Sequence, residues 1–245
     1  MIRLVTFDAL HTLITPRLPI YVQYSQTFTP YIGTLDPRAI KSSFKTALKE
    51  VQAEKPVYAS GHEGWWSEVI RRTAIGAGAK PRDVDEALPE MVPRLLKRFS
   101  SKEGYKLFDD VHPTLRSLQR INCKIGLVSN ADSRILDVLA DLEILSHLDP
   151  ILISEKEGIE KPNAEIFHRA CRTAGVKVED AVHVGDEKNS DYFGAKNAGM
   201  DALLLRRSGL EGEGEHKDEN ELLSDDVRTI SSLLEVAERV RQTSH

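Results

Sequence analysis

Cysteine is scarce in this chain. There are two, Cys123 and Cys171, and neither sits in a CxxC pair or at a Cys/His metal spacing. That excludes a disulfide framework and a thiolate zinc site. Cys123 opens an apolar, strand-like run and Cys171 lies on a helical pattern, so both read as small buried residues with free thiols. Long apolar runs are missing too: no stretch approaches the ~20 residues that cross a membrane. No Lys/Arg cluster is long or dense, which argues against a polyanion partner such as nucleic acid. Met1 leads straight into an apolar run without a signal-peptide pattern, and no internal repeat is visible. From these absences we expect an intracellular, reducing setting, cytoplasmic or nuclear, with neither membrane nor nucleic acid as partner.

What is present suits a folded protein. The chain has 245 residues, 40% apolar and 29% charged, with a formal charge of −5 from 33 basic and 38 acidic side chains. That length fits one large domain, or a core with a smaller insert. Residues 2–7 read as a buried strand. From about 17 to 104 there is no strand signal, only four helical stretches at 19–31, 37–53, 62–78 and 83–99. The second has Ile40, Phe44, Leu48 and Val51 on one side, after an Asp36-Pro37 start signal.

After 105 strands and helices alternate. Helical patterns at 110–120, 132–142, 163–174 and 188–198 are interleaved with the apolar runs CKIGLVSN, PILIS, AVHVGD and DALLLR. Such alternation predicts a parallel sheet covered by helices on both faces. The simplest architecture is an α/β core, residues 1–16 and 105–245, interrupted by a helical insert at 17–104. An acidic Gly/Glu-rich connector at 207–226 precedes a closing amphipathic helix at 227–240, expected to dock on the sheet.

In a parallel sheet, ligands bind beyond the carboxyl ends of the strands. Asp8 follows the first strand, and Ser129 and Asn130 follow the second. Asp186 follows the strand AVHVG, with Asp191 five residues on, and Lys161 sits on a loop entering a helix. Each alone has a bland reading: Ser129 as a helix cap, Asp186 as a turn residue, Lys161 as a solvated charge. Together they put carboxylates, a hydroxyl and an ammonium on one rim, a set suited to oxygen-ligated Mg²⁺ and a phosphate.

This ordered set resembles the haloacid dehalogenase superfamily. Its first motif, DxDx[TV], is similar to Asp8-Ala9-Leu10-His11-Thr12; its motif serine matches Ser129, its motif lysine Lys161, and its GDxxxxD matches Gly185-Asp186 and Asp191. Residues 153–204 follow the family's GIxKPxxxIF and hhhVGDxxxxDxxGAxxAGM patterns, through FGAKNAGM. The insert GHEGWWSEVI is similar to the subgroup of haloacid dehalogenase-like hydrolase domain-containing protein 3. The resemblance implies a Rossmann-like parallel core with an all-helical cap of the C1 type.

It also implies roles. Asp8 would be the nucleophile and Lys161 its charge partner. Mg²⁺ would be held by Asp8, the backbone carbonyl of Leu10 and Asp186, with Asp191 in support. Thr12, Ser129 and Asn130 would serve the substrate phosphate, Thr12 by fixing the nucleophile loop. Leu10 is the departure, because the family's phosphatases carry a second aspartate there as acid and base. His11 is no obvious replacement: on an extended strand it faces away from Asp8. Three readings stay open. The first is a Mg²⁺-dependent phosphohydrolase of a small phosphorylated metabolite with weakened acid/base catalysis. The second is a catalytically silent protein that binds a metabolite phosphate or a protein partner. The third is a dehalogenase, against which the retained Asp186 argues. Trp65 and Trp66 are expected to pack within the insert.

Overall fold

The computed structural model describes residues 1–58, 61–207 and 226–242. The chain begins with β1 (Leu4–Phe7) and β2 (Ile14–Pro16), then runs through α1 (Ile20–Ile32), α2 (Pro37–Glu54), α3 (His62–Gly76) and α4 (Pro81–Arg98). β3 (Tyr105–Leu107), α5 (Val111–Arg120), β4 (Lys124–Ser129), α6 (Arg134–Asp141), β5 (Ile151–Ile153) and the one-turn α7 (Ser154–Glu157) follow. The last elements are α8 (Ala164–Ala174), β6 (Ala181–Gly185), α9 (Gly194–Asn197), β7 (Asp201–Leu205), β8 (Thr229–Ile230) and α10 (Leu234–Gln242). Among the described residues no helix is long and apolar enough to cross a membrane.

The chain divides into two compact units. The first comprises Met1–Thr15, Leu107–Ala131 and Leu142–His245; the second comprises Pro16–Lys106 and Asp132–Asp141. α6 therefore groups with the helical unit, although in sequence it lies between two strands of the sheet.

The first unit is built on a six-stranded, wholly parallel sheet in the order β5-β4-β1-β6-β7-β8. β1 is central, and all four of its residues are buried. This explains its unbroken apolar reading: a strand covered on both faces does not alternate. Phe7 lies opposite Leu127 of β4 and Val184 of β6. The strand order reverses at β1/β6, the kind of switch point where α/β sheets hold ligands. The core around the sheet includes Leu4, Val128, Leu152, Phe167, Ala202 and Leu204. Cys123 and Cys171 are both buried free thiols, pushed up to about 11 by burial.

In the helical unit, Asp36 caps α2 by accepting the amide of Arg38 at 2.9 Å, with Pro37 in the first turn. Its buried face is Ile40, Phe44, Ala47 and Val51, while Leu48 is only partly buried. Trp65 is buried in this unit's core, and its indole donates to the Lys55 carbonyl at 2.9 Å. Trp66 is only partly buried.

Two expectations need correction, and a third falls on residues that are not described. β2, β3 and β8 were not read from the sequence, because two or three residues give no usable period. The closing segment is not one helix over 227–240: Thr229–Ile230 first adds a parallel strand beside β7, and the helix starts at Leu234. The acidic stretch at 207–226 lies outside the described residues except at its two ends.

Asp110 ties distant segments of the first unit together. Its carboxylate takes Arg207 in a bidentate pair at 2.7 and 2.9 Å, plus the Ser232 hydroxyl and the Leu233 amide, each at 2.9 Å. Arg207 also donates to the Thr12 carbonyl at 3.0 Å and lies 3.8 Å above the Phe108 ring. Burial works against the charged form, but Arg207 and the Leu233 amide outweigh it and hold the Asp110 carboxyl below its ordinary value. A depressed carboxylate adds stability above its unfolded-state range and loses it as the pH falls. Asp110→Ala should therefore cost about 3–5 kcal/mol at neutral pH, by stranding a buried guanidinium. In urea titrations the gap to wild type should narrow below about pH 4.

Candidate active site

The turn after β1 sets the first part of the site. The Ala9 carbonyl accepts the amides of Thr12, Leu13 and Ile14 at 3.3, 2.8 and 2.9 Å, and His11 takes a left-handed φ of 59°. The chain therefore bends sharply after Asp8. Strand alternation cannot assign faces to Leu10 and His11, contrary to the extended-strand reading. Asp8 is fixed at the strand end by its amide, which donates to the Val184 carbonyl of β6 at 2.9 Å.

β6 and the segment after it supply the rest. Asp186 follows the last residue of β6. Residues Lys188–Phe193 form a widened turn in which the Tyr192 amide reaches back five residues to the Glu187 carbonyl. This turn points Asp191 back under the strand end. Gly185 makes room for it: a Cβ there would lie 2.1 Å from Asp191 Cγ.

Lys161 joins the two sides. Its Nζ donates to Asp8 Oδ1 at 2.7 Å and to Asp191 Oδ1 at 2.6 Å, and all three side chains are buried. Burial alone would lower the lysine's pKa, but Asp191 and Asp8 outweigh it and leave the ammonium held above its ordinary value. Burial would likewise raise Asp191, yet Lys161 and His183 hold it well below the usual carboxylate range.

His183 is the residue that sequence reading missed. It is buried in β6, where its Nε2 donates to Asp191 Oδ1 at 3.0 Å. Its Nδ1, 2.8 Å from the Thr6 hydroxyl, then accepts. These partners select one neutral tautomer, and burial depresses the imidazole's pKa to match. Its only sequence signal is a histidine inside an otherwise apolar strand.

The oxygens of Asp8, Asp186 and Asp191 can approach within 4.8 Å of one another. Carboxylate oxygens are hard donors, and this set could hold a divalent cation. Asp191 accepts three donors, Lys161 and His183 on Oδ1 and the Glu187 amide on Oδ2 at 2.8 Å, so it is held firmly within the cluster.

Ser129 is buried at the end of β4. Thr12 and Asn130 have protein partners as well. Thr12 is fully buried and reaches Asp186 Oδ1 at 3.4 Å, so it supports that carboxylate. Asn130 clamps the lysine loop: its Nδ2 donates to the Lys161 carbonyl at 2.9 Å and its Oδ1 accepts the Lys161 amide at 2.7 Å.

A family model for haloacid dehalogenase-like hydrolases matches residues 2–199. The chain belongs to this family. Its relatives include the bovine (Bos taurus) haloacid dehalogenase-like hydrolase domain-containing protein 3, 32% identical over 83% of this chain and 82% of that one. A glyceraldehyde 3-phosphate phosphatase from Methanopyrus kandleri is 34% identical over 73% of this chain and 71% of that one. Among solved structures, 2-haloacid dehalogenase from Pseudomonas syringae pv. Tomato DC3000 superposes with a TM-score of 0.66 at 23% identity, covering 99% of this chain and 100% of that one. At that identity the likeness is one of fold. This haloacid dehalogenase-like hydrolase thus keeps a parallel α/β core with an acidic site at the β1/β6 switch point.

Gly185→Ala should dislodge Asp191 and unpair Lys161. We expect a loss of at least ~1–3 kcal/mol, the usual cost of forcing atoms into a packed site. The urea midpoint measures it. A midpoint equal to wild type would mean that Asp191 does not need the position described.

Proposed function

We propose that this hydrolase is a Mg²⁺-dependent phosphohydrolase of a small phosphorylated molecule, working through an aspartyl-phosphate with weakened acid/base catalysis. One observation carries the reading. Lys161 engages only Oδ1 of Asp8, leaving Asp8 a second oxygen for chemistry, while Asp191 is held by three donors, Lys161, His183 and the Glu187 amide. The similarity to a phosphatase that acts on glyceraldehyde 3-phosphate lends support.

In this reading Asp8 and Asp186, with the Leu10 carbonyl, would hold Mg²⁺, with Asp191 in support. The ion would neutralise charge on the phosphoryl oxygens. Asp8 attacks phosphorus, the ester P–O bond breaks, and the leaving oxygen departs with the electron pair. Lys161 offsets charge on Asp8 and the phosphoryl group, and Ser129 binds a phosphoryl oxygen. Water then attacks phosphorus and releases phosphate and the Asp8 carboxylate. The helical unit serves as the cap that selects the substrate, in the intracellular setting expected above.

Leu10 cannot protonate the leaving oxygen or activate water. General acid–base help is typically worth ~10²–10⁴-fold, or roughly 3–5 kcal/mol of barrier. The same leucine favours a second reading, a catalytically silent binding protein that keeps its metal site. A dehalogenase is the weakest reading, because Asp186 suits a metal better than carbon-centred displacement.

The two leading readings separate on acetyl phosphate, p-nitrophenyl phosphate and an alkyl phosphate in millimolar Mg²⁺. Wild type should turn over the first two, whose leaving groups need little protonation, and Asp8→Asn should not. Leu10→Asp should raise alkyl phosphate turnover by about tenfold or more. If folded Leu10→Asp stays at the Asp8→Asn background on every phosphate, the silent binder is the better description. Mg²⁺ binding by calorimetry should survive Leu10→Asp and fail in Asp186→Ala. Equal binding by wild type and Asp186→Ala would remove Asp186 from the metal site.

A further inference from the structure

Thr6 and His183 have no part in the chemistry proposed above, and at 0% and 1% exposure neither can touch a substrate. They nevertheless close a circuit of hydrogen bonds through the site. Thr6 lies opposite His183 in the β1/β6 register, its hydroxyl 2.8 Å from the imidazole Nδ1. Nε2 donates to Asp191 Oδ1 at 3.0 Å. Lys161 Nζ donates to that same oxygen at 2.6 Å and to Asp8 Oδ1 at 2.7 Å. The path leaves the first strand at Thr6 and returns to the chain two residues later, at Asp8.

The imidazole is fixed by more than these two bonds. Phe167 of α8 meets it in a T-shaped contact, with ring centres 5.1 Å apart. A buried histidine that only filled the core would be satisfied by any acceptor. This one aims its N–H at the oxygen that Lys161 also uses. Hydrogen-bonded groups polarise one another, and two donors on one carboxylate oxygen draw on the same charge. Asp191 therefore offers Lys161 less than it would alone. The ammonium stays divided almost evenly between Asp191 and Asp8.

An ammonium drawn fully to Asp191 would leave Asp8 less firmly oriented and a transferring phosphoryl group less well neutralised. That loss falls on the transition state rather than on substrate binding, so it lowers kcat and spares KM.

We propose that His183 is a positioning residue: its Nε2–H weakens the pull of Asp191 on Lys161 and so keeps the ammonium on Asp8. The effect on turnover rests on the phosphohydrolase reading, whereas the placement of the ammonium does not.

Three variants of the intact protein separate this role from packing. His183→Leu removes the N–H and keeps an apolar filling. His183→Gln restores a donor at about the reach of Nε2. Thr6→Val strands Nδ1, which lowers the urea midpoint, but leaves Nε2–H on Asp191. The first readout needs no metal: the ¹⁵N signal of the buried Lys161 ammonium, assigned with Lys161→Arg. It should shift in His183→Leu, return toward wild type in His183→Gln and stay in place in Thr6→Val. The second is p-nitrophenyl phosphate turnover in millimolar Mg²⁺. His183→Leu should lose ~10-fold or more in kcat, the scale on which outer partners of a site act, with KM unchanged and most of the loss recovered in His183→Gln. A Lys161 signal that does not move in His183→Leu overturns the proposal. So does a Gln variant no closer to wild type than the Leu variant, a Thr6→Val shift as large as that of His183→Leu, or an active wild type whose kcat His183→Leu retains. If wild type turns over no phosphate while the Lys161 signal behaves as expected, the phosphohydrolase reading fails and the placement of the ammonium by His183 stands.

Discussion

The buried ammonium of Lys161 is the constraint on which the site depends. A charge that is 4% exposed is tolerable only with counter-charges in contact. Asp8 and Asp191 supply them from opposite sides of the β1/β6 boundary. Each partner depends in turn on backbone: Asp8 on its amide bond to β6, Asp191 on the widened turn and the missing side chain of Gly185. Lys161 is itself held through both main-chain groups by Asn130. The lysine thus links the ends of β1, β4 and β6 into one rigid rim, without any contribution from Leu10.

That linkage divides the carboxylates by role. Asp191 accepts three donors, Lys161, His183 and the Glu187 amide, and is held through both oxygens. Asp8 gives one oxygen to the lysine. The difference does not come from residue type, since both are aspartates on loops, but from how many donors surround each. It also gives His183 a purpose: a neutral imidazole donating through Nε2 satisfies Asp191 without adding a second positive charge, which would weaken the need for Lys161.

Much of this was legible in the sequence, for identifiable reasons. β1, β4, β6 and β7 are covered on both faces and so appear as apolar runs, and the carboxyl-end rule then groups Asp8, Ser129, Asp186 and Asp191. His183 was not legible, because its role arises from cross-strand register with Thr6 and from a turn eight residues on. Thr12 reaches Asp186 and Asn130 clamps the Lys161 main chain, partners that their positions in the sequence do not indicate. A hydroxyl or amide near a phosphate site looks the same in sequence whether it faces the ligand or braces a ligand-facing residue. The bend after Asp8 escaped for a similar reason: a histidine at φ 59° has no reliable signature.

Leu10 sharpens what family membership can carry. The fold supports more than one chemistry, and the solved structure with a TM-score of 0.66 is a dehalogenase while a 34% identical relative is a phosphatase. The decision rests on the site's own charges. Carbon-centred displacement by Asp8 needs no metal, and a second carboxylate nearby would disfavour the approach of a carboxylate substrate. Phosphoryl transfer is served by carboxylates that can hold the divalent cation the transferring group requires. In the proposed phosphohydrolase, Asp186, which the Thr12 hydroxyl reaches at 3.4 Å, would be one of those carboxylates. Replacing the usual acid by leucine removes a proton donor but leaves this electrostatic arrangement untouched. It would therefore slow the reactions that need a proton most, while sparing those whose leaving group departs without one.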